Sequence, residues 1–372
     1  MQLTSRERVL AVFQGEMPDR VPIWMWGIHP WLGEVQGNAR SLIDTVVAQG
    51  DIVHWWGAGA GVFLSASDQV QVRSETRPAR SPAFEEQVVT YQTPAGELTE
   101  VHYVSLEGKP GYCKKHLLET EQDVERLLSV PYVPPRPDCA GFFDVDRQLG
   151  DRGLPMVSMP SDPMYFVNNL TGSETFAIWS IDQRAMVSAL IAEFGRRIRE
   201  WVAWVLAQAV GPLFGYVGPE LCIPPLQSPR DFDEWVVGPD GEIIDMIHAA
   251  GGMVLCHCHG RMGPVLEGFV RMGVDALHPI EPPPMGDVTM AEAKRRVGND
   301  LCIVGNLQHH DICTMPHRRF RELVAETTRV GMAGGRFILC PTATPFGWPT
   351  MGDLELANWL AILEVGREVG EY

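Results

Sequence analysis

The chain has 372 residues, with 30 Lys and Arg against 47 Asp and Glu, a formal charge of −17 and 45% hydrophobic residues. That length allows one large domain or two ordinary ones, and 11 Trp with 14 Phe demand an interior, which excludes a disordered or fibrous chain. The acidic balance, with no long run of Lys and Arg, argues against a nucleic-acid or anionic-membrane partner, because phosphate binding needs a cationic surface.

The eight cysteines are scattered, several within apolar runs, and read as reduced thiols rather than a disulfide framework. The opening residues mix charges with apolar side chains and show no secretory hydrophobic region. The longest uncharged stretch, 201–219, is broken by Gly211-Pro212 and contains Gln208, so it reads as a helix end followed by a buried strand. A cytoplasmic protein is expected.

In chain order, Thr4 and Ser5 ahead of Val9, Leu10, Val12 and Phe13 predict a capped amphipathic helix that stops at Gly15. Eight short apolar runs follow, at 21–27, 51–56, 154–160, 213–218, 252–258, 274–279, 301–306 and 336–341. Between most of them lie stretches of helical periodicity, at 184–210, 231–250, 264–272, 289–297, 317–332 and 353–369. Eight buried strands alternating with helices predict a (β/α)8 TIM barrel. A doubly wound sheet is the alternative, but it needs no eighth strand and no Gly-rich phosphate loop supports it. The whole chain, 1–372, is expected as a single barrel domain with an inserted segment at about 75–150. That segment holds a β-hairpin (85–106, around Pro94-Ala95-Gly96), a helix at 119–129 and a Pro-rich stretch at 130–137. It reads as an excursion between the second and third strands that covers part of the barrel mouth.

In a parallel barrel the chemistry lies where strands end, and the strand ends here carry Trp26, His29, His54, Ser161, Asp162, Glu220, His257, His259, His278, Glu281, Asn306, Gln308, Cys340 and Thr342. The sharpest feature is Cys256-His257-Cys258-His259. Residues two apart on a strand share a face, so the two imidazoles project together as a natural pair of Zn²⁺ ligands, unless both are hydrogen-bonded core residues. A third ligand must come from another strand, with Glu220 and Cys340 as candidates. Cys256 and Cys258 should face the surrounding helices as small apolar groups.

Glu220 has three readings: a metal ligand, a general acid or base, or a solvated loop carboxylate. Glu281 sits in a Pro-rich loop that would hold a catalytic carboxylate at low entropic cost. Asp287, a little further on, reads as the cap of the helix that starts at 289. Asn306 and Gln308 are suited to orienting a polar substrate, or equally to satisfying loop carbonyls. The Trp residues at 24, 26, 31, 55 and 56 read as packing at the mouth, with an apolar substrate pocket as the other use. There is no GxSxG elbow, P-loop or HExxH motif, which weighs against α/β-hydrolase and nucleotide phosphoryl-transfer chemistry.

The opening LTSRERVLAVFQGEMPDRVPIWMWG, HCHG at 257–260, GVDALHPIEPP, VGNLQ and GGRFILCPTATP occur in an order that resembles the uroporphyrinogen decarboxylase superfamily over nearly the whole chain. That resemblance implies a (β/α)8 barrel and one of two activities. The metal-free porphyrinogen decarboxylases carry an Arg-rich segment near the first strand that grips substrate carboxylates. Here the corresponding stretch, Met25 to Pro30, has no arginine, so uroporphyrinogen is a poor substrate.

The other branch holds zinc-dependent methyltransferases that exchange methyl groups with corrinoid proteins through a His-x-Cys pair and a distant Cys. His257 matches the first ligand, His259 stands in place of the Cys, and Ala343 stands where the distant Cys would be, with Cys340 three residues earlier. The resemblance therefore implies a methyltransferase or demethylase with zinc on His257, His259, Glu220 and Cys340. Glu220 and Glu281 would be catalytic, Trp26, His29, Asn306 and Gln308 would bind a small-molecule substrate, and a corrinoid protein would be the partner, with a homodimer left open. A metal-free decarboxylase acting on a smaller carboxylated substrate is the alternative, and a non-catalytic ligand-binding barrel is a third.

Overall fold

The computed structural model describes residues 2–32, 35, 37–107, 111–345 and 350–372. Eleven strands are found among the described residues. In chain order they are β1 (Ile52–Gly57), β2 (Gln71–Pro78), β3 (Phe84–Thr93), β4 (Gly96–Ser105), β5 (Tyr112–Lys115), β6 (Gly153–Ser158), β7 (Leu213–Val217), β8 (Met253–His257), β9 (Ala276–His278), β10 (Cys302–Leu307) and β11 (Phe337–Pro341). Packing divides the chain into two compact units. The first comprises 1–58, 138–162 and 205–372, the second 59–137 and 163–204.

The first unit is built on a curled, all-parallel sheet of seven strands in the order β1-β6-β7-β8-β9-β10-β11. Both faces of such a sheet must be covered, and β6 to β11 are accordingly near-continuous in burial, β10 and β11 wholly so, while β1 is buried only at Ile52 and Val53. Seven of the eight apolar runs in the sequence are these strands. The eighth, 21–27, is not a strand: it makes one parallel bridge, Ile23 to Leu339. Its ladder is short for local reasons. Pro22 has no N–H to donate, the Ile23 N–H is taken by the Asp51 carboxylate at 2.8 Å, and Ile28 N–H turns back to the Met25 carbonyl.

Asp51 is the fastening of this corner. Its buried carboxylate also accepts from Arg8 at 2.7 Å and Arg20 at 2.8 Å, which ties the opening helix Ser5–Phe13 to the start of β1. That helix begins with a capping box, Thr4 and Glu7 each bonding the other's backbone N–H, as its sequence predicts. Its Val9, Val12 and Phe13 then join Trp24, Leu154, Met156, Leu213, Leu255, Val304, Ile338 and Cys340 in the core enclosed by the sheet. Gly215 in β7 lets this core close, because a Cβ there would lie 2.7 Å from the Trp55 ring and 2.8 Å from Met156 Sδ.

The second unit contains an antiparallel sheet in the order β2-β3-β4-β5. Its centre is the expected hairpin, β3 and β4 joined at Pro94-Ala95 with Thr93 paired to Gly96. Strand β2 is exposed along all eight residues, so it has no apolar alternation by which a sequence could reveal it. The remainder is helical, including Glu121–Leu128, Pro163–Thr171, Ser173–Asp182 and most of Arg184–Ala207. No helix among the described residues is long and apolar enough to cross a membrane.

Candidate active site

The parallel register of the first unit sets the site. Val217, His257 and His278 are Cα partners across β7, β8 and β9, so two imidazoles stand side by side where these strands end. His278 is fully buried, and its Nε2 lies 3.0 Å from the Pro341 carbonyl. A carbonyl only accepts, so Nε2 carries the proton. Burial, together with the neighbouring His257, holds His278 well below the usual imidazole pKa, so it is neutral and its Nδ1 is a lone pair.

That lone pair faces His257 Nδ1 at 2.8 Å, which must then be the donor. His257 is itself neutral, its pKa lowered to about 3 by burial and by His259. These partners assign the proton of His257 to Nδ1 and leave its Nε2 as a lone pair available to a metal or a proton. Trp26 stacks on both rings, 3.9 Å from His278 and 4.8 Å from His257 between centroids, and prevents either from rotating away.

His259 lies with its ring 4.6 Å from that of His257 and pairs with Glu281, Nδ1 to Oε2 at 3.3 Å. Glu281 also accepts from Gly260 N–H at 2.9 Å and from Gln308 Nε2 at 3.4 Å. Burial opposes the charge on both partners, yet the mutual hydrogen bond prevails: His259 is raised and Glu281 lowered from their ordinary values. Glu220 sits just after β7 in a short 3₁₀ turn, Pro219–Cys222. Burial raises its pKa, and its Oε2 is a buried oxygen with no hydrogen-bond partner.

The other residues singled out in the sequence are distributed differently. Gln308 lines a cavity of about 650 Å³ together with His259, Gly260, Glu281, His309, Cys313, Thr342 and Ala343. Asn306 has its amide committed to the Ile280 carbonyl at 2.8 Å, so it fixes the loop that carries Glu281. His29 packs against His54, 4.4 Å between rings, and Trp31, away from that lining. Cys340 is fully buried in the apolar core, its thiol pKa raised by burial. Cys256 and Cys258 are fully buried too. Asp287 does not cap the helix after it: Thr289 does, through Glu292 N–H, while Asp287 accepts from Gly263 N–H at 2.9 Å.

Among the described residues, the set of three potential metal donors with ligating atoms within 4.8 Å of one another is His309, Cys313 and Glu355. His257, His259, Glu220 and Cys340 do not form such a set in this conformation. Burial and the adjacent Glu355 push the Cys313 thiol up to about 11, and burial lowers His309. Nothing local in the sequence marks this trio. His309 and Cys313 show the i, i+4 spacing of one helix face, but Glu355 is 42 residues further on and no local pattern links it to them.

No protein of curated function matches the chain. A muconate lactonizing enzyme from Pseudomonas putida aligns over 80% of this chain and 77% of its own at 9% identity, with a TM-score of only 0.27. A methyltransferase from Methanosarcina mazei superposes over 99% of both chains with a TM-score of 0.63 at 14% identity, so this chain shares its fold. Residues 223–344, the segment that carries β8 to β11 and the site between them, match the uroporphyrinogen decarboxylase (URO-D) family.

Proposed function

We propose that the protein is an enzyme of the uroporphyrinogen decarboxylase superfamily that transfers a methyl group to or from a small molecule, with zinc held at His257, His259 and Glu220. On this reading Ile23 and its neighbours stand in for the eighth strand of a (β/α)8 barrel. The observation that carries the proposal is the hydrogen-bond chain from His257 through His278 to the Pro341 carbonyl, which leaves His257 Nε2 as a fixed lone pair beside a second imidazole, His259, whose charge interacts with Glu220, a carboxylate with one buried oxygen without a partner. Two nitrogen donors and one carboxylate are a donor set that zinc accepts, with a further position for an exogenous ligand. Cys340 is left out, because it is packed in the core.

When bound, the metal would act as a Lewis acid on the thiol, hydroxyl or ether group of the substrate. The chain's own residues do the rest. His278 fixes the tautomer of His257, Trp26 holds both rings, and Gln308 and Glu281 present polar groups to the cavity. A corrinoid protein is the methyl carrier in this proposal, and the substrate is a small molecule in the 650 Å³ cavity.

The His259–Glu281 pair favours a second reading. Zinc would have to draw His259 away from Glu281. Left in place, the pair makes His259 a proton donor for a metal-free decarboxylation. Zinc content, and methyl release from methylcobalamin to small thiols, each compared between wild type and His257→Ala, test the first reading. CO₂ release without metal would support the second.

A further inference from the structure

The cavity that carries His259, Glu281 and Gln308 has a second wall whose chemistry the reading above does not use. His309 opens the helix His309–Thr314, and Cys313 is one turn later on the same face. Cys313 Sγ lies 3.7 Å from His309 Nδ1 and 3.8 Å from Nε2. Glu355, in the first turn of the helix Asp353–Val369, brings a carboxylate oxygen within 4.8 Å of both.

We infer that His309, Cys313 and Glu355 form a binding site for a zinc-class divalent cation, separate from His257 and independent of the proposal made for it. A metal bonded at about 2.3 Å to sulfur and 2.0 Å to nitrogen at a tetrahedral angle sets the two donors about 3.5 Å apart, close to the 3.7 Å between Cys313 Sγ and His309 Nδ1; because Sγ lies as near to Nε2, the His309 ring would turn to aim one lone pair at the ion. The donor types agree, since a thiolate, an imidazole and a carboxylate together select borderline metals over Mg²⁺ or Ca²⁺.

The supporting structure is built for fixed geometry. Asn358, one turn after Glu355, donates to the carbonyls of Ile312 and Met315, at 2.9 Å each, and so clamps the two helices that supply the donors. Trp359 Nε1 approaches Glu355 Oε1 at 3.4 Å and orients the carboxylate, leaving its second oxygen for the metal. The His309 backbone N–H is bonded to Thr342 Oγ1 at 3.2 Å, so its position is set by the segment after β11. With three protein ligands the ion keeps one position for a water, or for a sulfur or oxygen atom of a molecule in the cavity that His309 and Cys313 line.

The test uses Co²⁺ as the probe, added to metal-free full-length protein, with near-ultraviolet absorption as the readout. A cobalt–thiolate charge-transfer band requires a bound cysteine, which the His257 site lacks. The band is expected in wild type and in His257→Ala, and is expected to vanish in Cys313→Ser. Glu355→Gln, which retains both other donors, should weaken Co²⁺ binding at least about tenfold in Kd. Unchanged circular dichroism in both variants ensures that the loss is local. No band in wild type at saturating Co²⁺, or a band that survives in Cys313→Ser, would overturn the inference. Zinc lost from His257→Ala with the band intact bears only on the other site, so the two proposals stand or fall separately.

Discussion

Replacing His278 by Phe tests the hydrogen-bond relay that fixes the His257 tautomer. The aromatic ring keeps the stack on Trp26, 3.9 Å between centroids and 3° from parallel, so little packing is lost. What is lost is polar. The Pro341 carbonyl loses its donor at 3.0 Å and the His257 Nδ1–H loses its acceptor at 2.8 Å, in a place where His278 itself is fully buried. Each buried group left without a partner costs about 1–3 kcal/mol, so the variant should be destabilised by about 4 kcal/mol in urea unfolding with an unchanged m-value. Nitrogen NMR of wild-type His257 should show the neutral tautomer protonated on Nδ1, and in His278→Phe that preference should disappear. Loss of such an outer partner also predicts a fall in zinc affinity at His257 of roughly 10- to 100-fold. A variant within about 1 kcal/mol of wild type, or a wild-type His257 protonated on Nε2, would refute the relay.

Two further perturbations address the frame around the site. Asp51→Ala leaves the guanidiniums of Arg8 and Arg20 without the carboxylate they share, at a site where Asp51 is 1% exposed. Breaking a buried pair in this way costs about 3–5 kcal/mol, so a fall in Tm of roughly 5 °C is expected by calorimetry for a chain of this length, and a change under about 2 °C would show that the network is not a fastening. Stability should also fall as pH drops below 6.5 in metal-free protein. The unfolded chain takes up protons at histidine near pH 6.5, whereas folded His257 refuses one until about pH 3 and His54 until about pH 4. The folded pKa values are depressed, so the stability present above pH 6.5 is lost progressively toward pH 3–4, with a slope of up to about 1.4 kcal/mol per pH unit from His257. Urea midpoints at pH 8, 6 and 5 measure this slope. If it is the same in His257→Gln, then His257 is not its source.

Much of the first unit is legible in the sequence, because a parallel sheet covered on both faces needs continuous apolar strands, and such runs stand out. Seven of them are strands. The run at 21–27 has the same composition, but Pro22 has no N–H and the Ile23 N–H goes to Asp51, and a side-chain acceptor 28 residues away leaves no mark in an apolar pattern. Strand β2 fails for the opposite reason: it is polar throughout because it is exposed throughout. At the site, the rings of His257 and His259 lie 4.6 Å apart although β8 ends at His257, and Glu281, in the Pro-rich loop, pairs with His259. The part played by His278 depends on register between neighbouring strands, and the trio at His309 depends on the docking of two helices. Neither relation is local, so neither has a sequence period.

Zinc content is the measurement closest to the central proposal. Untagged wild-type protein, His257→Ala and Cys313→Ser are purified side by side from zinc-supplemented growth and analysed by mass spectrometry. The account predicts that His257→Ala carries about one zinc per chain fewer than wild type, whatever Cys313→Ser does. Equal zinc in wild type and His257→Ala, with both folded, would contradict it, and His257 would then be a residue for packing or proton transfer.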